Sequence, residues 1–361
     1  MVTASLDIAV PVLATQKIPS VFLTLIQTSQ RGFITMKKVL LGSTMVVAMS
    51  FAVFNTTHVA AKEVTIKLVS MLPKKHPIGK SFNGFINRMN AKLKGEFQID
   101  WRGGPEVVPQ FKQPNAVRLG SVDATLTSPS YVNGILNVSG SANYSNRPYN
   151  EIKATGYHAL MEKLHGPKGL VYVGELPVSQ LRFHIFLKDP IQKLDDFKGM
   201  KIRVFPAIAP AVKALGANPV VLPMPQIYTA MERGVVKGFA TGVSGVAKKY
   251  KGLIGAYTTP GFYRATFHFL MNPKTWAKVP AQTRKNVINF VRNTDPAAYE
   301  ASWDASLKDG YAQLAKDGVK AVKFSAVEEA KFSKMVLEAA WAAVKAKDGT
   351  NGPALQKMLM K

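Results

Sequence analysis

Cysteine is absent from all 361 residues, so neither a disulfide framework nor a thiolate metal site is open to this chain. Acidic residues are scarce: 22 Asp and Glu stand against 47 Lys and Arg, a formal net charge of +25. Catalytic signatures are missing as well. There is no Gly-x-Ser-x-Gly turn and no His-Glu-x-x-His run, which leaves the alternative of a secreted α/β enzyme without an activated nucleophile or a metal run. The six histidines are scattered. His158 and His165 share one face of a helical stretch but bring no further ligand, and a surface or helix-end place is expected for them. The excess of Lys and Arg is spread along the chain, as in Lys248-Lys249-Tyr250-Lys251, with neither zinc-finger spacing nor the interleaved aromatics of an RNA-binding sheet. It reads as a solvated basic surface that draws small anions, and no nucleic-acid partner is expected.

What is present begins with a leader. Lys37-Lys38 precede an apolar, small-residue run at 39–54, followed by polar residues 55–58 and Val59-Ala60-Ala61. That is the charged, apolar, small-residue order of a secretory signal, spanning about 36–61 and cleaved near Ala61, which places the mature protein in the periplasm. A permanent anchor is the competing reading, but the apolar run contains Gly42, Ser43, Thr44 and Ser50 and is short against the roughly 20 residues of a span. Such a signal starts at its own methionine, so Met36 is the expected start and residues 1–35 an upstream extension. Sequencing the N-terminus of the precursor checks this. The remainder keeps 43 basic against 21 acidic residues, and a mean hydropathy of +0.02 is ordinary for a globular chain.

The densest pattern lies at 198–242. Met200, Ile202 and Val204 alternate with Lys201 and Arg203, the period of a strand, with Arg203 near its carboxyl end. The turn Phe205-Pro206 leads to a helical run closed by Gly216, a short apolar strand follows, then a second helix closed by Gly234 and a strand around 235–240. Strand, helix, strand, helix, strand argues for a parallel sheet covered by helices. Ligands of such sheets bind beyond the carboxyl ends of the strands. A guanidinium there, planar and with paired donors, suits a carboxylate; a surface arginine closing the strand is the plain alternative.

Lys198-Gly199-Met200-Lys201-Ile202-Arg203-Val204, Ala214-Leu215-Gly216-Ala217-Asn218-Pro219-Val220 and Ile227-Tyr228-Thr229-Ala230-Met231-Glu232-Arg233-Gly234-Val235-Val236 follow one another at fixed separations. Together they resemble the signature of the substrate-binding proteins of tripartite ATP-independent periplasmic (TRAP) transporters. The resemblance runs from about Val64 to the C-terminus, and residues 116–123 match the family's helix-to-strand turn. It implies that Arg203 meets the carboxylate of the solute, and that a pair of integral membrane permease subunits, driven by an ion gradient, receives it. Some members carry a second ligand-binding arginine close to where Arg182 falls. Two departures stand out: Lys237 where the family usually has Asp, and Ala240-Thr241-Gly242 where it has polar or aromatic residues.

The rest of the chain repeats the same alternation. Strands are expected at 64–69, 97–101, 122–127, 171–173, 181–187, 253–258, 262–271 and 319–324, with helices at 78–93, 115–119, 151–164, 281–314 (kinked at Asp295-Pro296) and from a capping box at Ser325 and Glu328 through 344. Residues 139–151 read as a polar loop. By the strand-end argument Ser70-Met71, Trp101-Arg102 and Ser128, Ser130 and Tyr131 face the same cleft. Trp101 and Tyr131 either pack on the body of a ligand or belong to the core, and Arg102 is either an anion contact or a solvated turn charge. Phe205 and Thr241 complete the candidate substrate-binding set with Arg203 and Arg182.

The fold class is α/β, a two-lobed periplasmic-binding-protein-like fold. Each lobe is a mostly parallel sheet flanked by helices, with a cleft between the lobes and long C-terminal helices. Lobe one is residues 62–180 plus about 265–310, lobe two 181–264 plus about 311–361, the exchange of segments being implied by the resemblance. The expected function is capture of a small organic acid and its delivery to the permease, with no catalysis, cofactor or metal; a binding protein reporting to a membrane sensor is the alternative. Dicarboxylates, keto acids, sugar acids and aromatic acids all present the required carboxylate.

Overall fold

The computed structural model describes residues 62–361; the expected leader and the start at Met36 lie outside the described residues. Strands β1 (Val64–Ser70), β2 (Phe97–Gly103) and β3 (Ala124–Thr127) come first. They are followed by β4 (Val171–Leu187), β5 (Lys201–Val204), β6 (Asn218–Val221), β7 (Gly238–Gly242), β8 (Ala256–Thr259), β9 (Tyr263–Met271) and β10 (Lys320–Lys323). One mixed sheet runs β2-β1-β3-β9-β4-β7-β5-β6, with β8 against β4 and β10 against β8. β1 is parallel to β2 and β3, and β5 to β6 and β7. Every antiparallel pair involves β4 or β9. The parallel pairs require crossovers, which helices such as Pro77–Lys92, Ala209–Ala214 and Ile227–Glu232 supply.

The helix Pro77–Lys92 shows how the sequence builds these layers. His76 caps it, its Nδ1 accepting the Ile78 N–H at 3.2 Å, and Pro77 takes the first helical position, where a missing N–H costs nothing. Ile78, Phe82, Phe85, Ile86 and Met89 form its buried stripe. Each such side chain contributes about 1.5–3 kcal/mol on burial, and Phe82 stands edge-on to Phe267 of β9 with ring centroids 4.9 Å apart. At the other end of the chain, the expected break comes as a π-turn, Phe290–Thr294, before the helix Pro296–Lys316. Asp295 there receives two hydrogen bonds from Arg88, at 2.5 and 2.9 Å. Ser325 caps the helix Ala326–Lys347, but Glu328 turns away from it to accept the Leu194 N–H at 3.2 Å.

Four expectations change. The strands expected at 171–173 and 181–187 are one strand of 17 residues. Leu176, Pro177 and Val178 pair with Phe267, Thr266 and Ala265 of β9, and the ladder slips between Tyr172 and Gly174 and again between Val178 and Arg182. A buried partner strand overrides the polar local sequence there. The loop expected at 139–151 begins with a wholly buried 3-10 helix, Ser139–Tyr144. Distant partners satisfy its polar groups: the Ser139 hydroxyl donates to the Pro129 carbonyl at 2.6 Å and Asn143 Nδ2 to the Arg264 carbonyl at 2.8 Å. The helix expected at 151–164 is two, Tyr149–Ala154 and Tyr157–His165, parted by Gly156 at φ +82°, a conformation glycine adopts without strain.

The fourth change concerns the histidines. His158 and His165 are buried, not on the surface, because the tyrosines of the neighbouring elements close over them, although His165 does stand at the end of its helix, as expected. His158 lies between the phenols of Tyr149 and Tyr172 at 3.2 and 3.0 Å, and His165 Nδ1 donates to the Met161 carbonyl at 2.7 Å. Tyr172 in turn meets His268 of β9, with centroids 4.9 Å apart. Among the described residues no group of three or more metal-ligating side chains forms. Burial lowers the pKa of His158 to about 3, helped by Arg292 and Lys153, and that of His165 to about 4, with the Met161 hydrogen bond opposing; His268 is also lowered well below its ordinary value, by burial first and then by the other two histidines. Between those values and the ordinary 6.5 or so, the unfolded chain binds more protons than the folded one, so folding stability rises with pH. Urea unfolding is therefore expected to show full histidine-linked stability above about pH 6.5 and a progressive loss down to about pH 3.

Candidate functional site

Ile202, Arg203 and Val204 are all buried, because β5 lies inside the sheet with helices over it, so the one charged residue of the three enters the interior. Arg203 is 1% exposed. Its Nε donates to the Leu222 carbonyl at 2.8 Å and Nη1 to the Ala240 carbonyl at 3.3 Å. Nη2 is buried without a partner in the protein. Among the described residues no carboxylate lies within salt-bridge distance of it. Burial depresses the guanidinium's pKa, with Tyr131 and Tyr250 acting in the opposite direction, yet arginine keeps its proton in proteins. The result is a desolvated positive charge that the protein itself does not neutralise. Both phenols are neutral, pushed up to about 12 by burial against the pull of Arg203.

Arg203 forms part of the wall of a cavity of about 570 Å³, space open to solvent included. Met71, Ile78, Ser128 and Tyr131 reach it from the β1–β3 side of the sheet, and Phe205, Met224, Thr241 and Ser244 from the β5–β7 side. Tyr263, Thr266 and Phe267 of β9 and Leu181 and Phe183 of β4 lie between. The aromatics hold one another in edge-on or tilted contact: Phe205 to Tyr263 at 5.1 Å, Phe183 to Phe205 at 5.6 Å and Tyr131 to Phe205 at 6.5 Å. Tyr144 donates its phenol hydrogen to the Ala207 carbonyl and stands edge-on to Tyr263. This anchors the turn that carries Phe205.

The structure therefore brings Arg203, Phe205, Ser128, Tyr131 and Thr241 together on one cavity, with Met71. Four other residues of the expected set lie off it. Ser130 is buried beside the wall, its hydroxyl 2.8 Å from that of Ser128. Trp101 shares its indole N–H between Ser70 Oγ at 3.1 Å and the Gly103 carbonyl at 3.0 Å, so it is tied into the end of β2. Arg102 is exposed and pairs with Asp100 at 2.9 Å. Arg182 lies between Leu181 and Phe183, both on the cavity, and successive strand residues face opposite ways. Burial lowers the pKa of Arg182, with the charge of Arg264 acting the same way.

The two departures from the family pattern have simple places. Lys237 is exposed. Ala240 serves Arg203 through its backbone carbonyl, for which the side chain is immaterial, and a Cβ on Gly242 would stand 2.6 Å from a Leu181 methyl, so Leu181 would have to shift to admit a side chain there. Sequence reasoning missed Asn143, Phe183, Tyr263 and Thr266. Alternation in 181–187 points to Phe183 once Arg182 is turned away, and the return strand 262–271 crosses beside the cleft. Asn143 carries no local signal, since its polar neighbours read as an exposed loop.

Residues 68–347 match the family model described as bacterial extracellular solute-binding protein, family 7, DctP. A TRAP periplasmic solute binding protein from Desulfovibrio salexigens, solved with bound orotic acid, has TM-score 0.73 and 19% identity, covering 82% of this chain and 97% of that one. An extracytoplasmic solute receptor from Bordetella pertussis binding pyroglutamic acid has TM-score 0.70 and 17% identity, covering 82% and 99%. The monocarboxylate 2-oxoacid-binding periplasmic protein of a Nostoc species is 26% identical over 208 residues, 54% of this chain and 56% of that protein. With the family match running through most of the described residues, and with an α/β periplasmic binding protein fold, the chain belongs to the DctP family of TRAP periplasmic solute-binding proteins and is a binding protein, not an enzyme.

Proposed function

We propose that the protein captures a small organic acid in the periplasm by its carboxylate, at Arg203, and delivers it to the integral membrane TRAP permease subunits. One observation carries the reading: a guanidinium 1% exposed, with no carboxylate partner among the described residues and Nη2 unpaired, on the wall of a cavity. An anionic solute supplies the missing countercharge, and in a desolvated site that interaction is screened little by water or salt. Ser128, Tyr131 and Thr241 offer hydroxyls to the rest of the solute. Carboxylic acids are also the ligands of the similar proteins from Desulfovibrio salexigens and Bordetella pertussis, orotic acid and pyroglutamic acid.

Release to a permease needs the cavity to open. Lobes 62–180 with 265–310 and 181–264 with 311–361 would close and part about β4 and β9, the strands common to both. The slip in the ladder between Val178 and Arg182, facing Ala265 and Arg264, falls at both boundaries and supports that hinge. Export through a signal cleaved near Ala61 completes the proposal. A thermal-shift screen of the purified protein against organic acids tests the binding reading by ligand linkage. Carboxylates are expected to raise the melting temperature while their amides and methyl esters do not; equal shifts by the neutral analogues would overturn it.

A further inference from the structure

The cavity wall says more about the solute than that it is an anion. Arg203 is the one charged side chain on it among the described residues. The arginines of the two strands that line it do not reach it: Arg182 is absent from the wall between Leu181 and Phe183, and Arg264 binds Glu175 at 3.2 Å and the Arg147 carbonyl at 3.0 Å. Lys249 is close enough for the charge of Arg203 to lower its pKa, after burial, but it lies off the wall, so a second carboxylate on the solute would be desolvated against Phe183, Phe205, Tyr263 or Phe267 with no second cation on the wall to meet it.

Asn143 adds a polar requirement. It is 1% exposed and lies on the wall. Its two amide ends are told apart by chemistry: the Arg264 carbonyl 2.8 Å away can only accept, so Nδ2 must face it. Oδ1 is then a buried acceptor without a partner in the protein. Tyr263 also has an unpartnered hydroxyl, but a hydroxyl rotates to donate or accept and so does not discriminate. An oxo group on the solute would set acceptor against acceptor at Asn143; a hydroxyl would donate.

Resting on the carboxylate reading of Arg203, we infer that the solute is a monocarboxylate with an apolar body and a hydroxyl, the carboxylate at Arg203 and the hydroxyl donating to Asn143 Oδ1. The protein thereby selects hydroxy acids over oxo acids and over dicarboxylates.

Calorimetry on the purified protein with matched pairs tests this. The pairs are 2-hydroxy-3-methylbutanoate with 3-methyl-2-oxobutanoate, mandelate with benzoylformate, and 3-hydroxybutanoate with acetoacetate, both enantiomers of each hydroxy acid being used, with succinate and malate as dicarboxylates. In at least one pair the hydroxy acid is expected to bind tenfold or more tighter than its oxo partner and than either dicarboxylate. In Asn143→Ala that ratio falls toward one while the oxo acid's affinity stays within threefold. Oxo acids or dicarboxylates binding as tightly as the hydroxy acids would overturn this inference alone. Binding by none of these acids would also overturn this inference, while the carboxylate reading stands or falls on the thermal-shift comparison of acids with their amides and methyl esters. Should Asn143→Ala fail to fold, the ratios in the unaltered protein decide the matter.

Discussion

Arg203→Ala is expected to remove most of the affinity for the carboxylate solute, about 2–5 kcal/mol, or roughly 30-fold to several thousandfold in Kd. The magnitude follows from desolvation. The guanidinium is already stripped of water in the free protein, so the solute's carboxylate meets a charge whose burial has been met by folding, and only the anion is desolvated on binding. Arg203→Lys is expected to bind weakly too. One ammonium cannot reproduce the bonds to the Leu222 and Ala240 carbonyls and still present a planar pair of donors to a carboxylate. Stability without solute should change far less than affinity, since alanine removes a buried unpaired charge at the same time as it frees two carbonyls. Calorimetry with the best acid from the thermal screen, alongside urea unfolding of each variant, checks both parts. A Kd within threefold of the unaltered protein would remove Arg203 from the site.

The second large effect concerns stability. Glu175 and Arg264 form an ion pair at 3.2 Å whose side chains are 0% and 1% exposed. Burial raises the Glu175 carboxyl's pKa, and the charge of Arg264 works against that rise, so the pair is held together in a place where either partner alone is unfavourable. Glu175→Ala leaves the guanidinium buried with the Arg147 carbonyl as its remaining hydrogen-bond partner among the described residues. It is expected to cost about 3–5 kcal/mol of folding free energy. Replacing both residues together by methionine should cost less than the two single changes summed, because neither charge is then left alone. Urea unfolding of the two single variants and the double variant reads this directly; a loss under about 1 kcal/mol for Glu175→Ala would show that water already reaches the pair, as at a surface bridge. Arg264 also holds the Arg147 carbonyl through Nη1, and its own carbonyl takes Asn143 Nδ2. The pair thus fixes the strand beside the cavity as well as stabilising the fold.

Much of the layout was readable in the chain. Alternation at 64–69, 97–101 and 200–204 and the glycines closing the helices mark short-range preferences: side-chain direction along a strand, and backbone freedom at a helix end. The place of Arg203 on the cavity wall was legible for the same reason, since the crevice of an open parallel sheet lies beyond its strands' carboxyl ends. Where contacts come from far along the chain the reading was incomplete. β4 runs unbroken through polar residues because β9 pairs with it, Ser139–Tyr144 is buried because Pro129, Asn133 and Arg264 supply its hydrogen bonds, and the two histidines are interior because Tyr149 and Tyr172 cover them.

The sequence by itself determined the class of the protein: secondary structure order, a guanidinium at a strand end and the family signature are all written within a few tens of residues. Tertiary structure alone decided which side chains share the cavity. Trp101, Arg102 and Arg182 leave it through hydrogen bonds and strand facing, and Asn143 and Tyr263 enter it from segments 60 and more residues away. The physical reason is that periodicity tells which way a residue points from its own backbone, whereas a binding site depends on which distant backbones lie opposite.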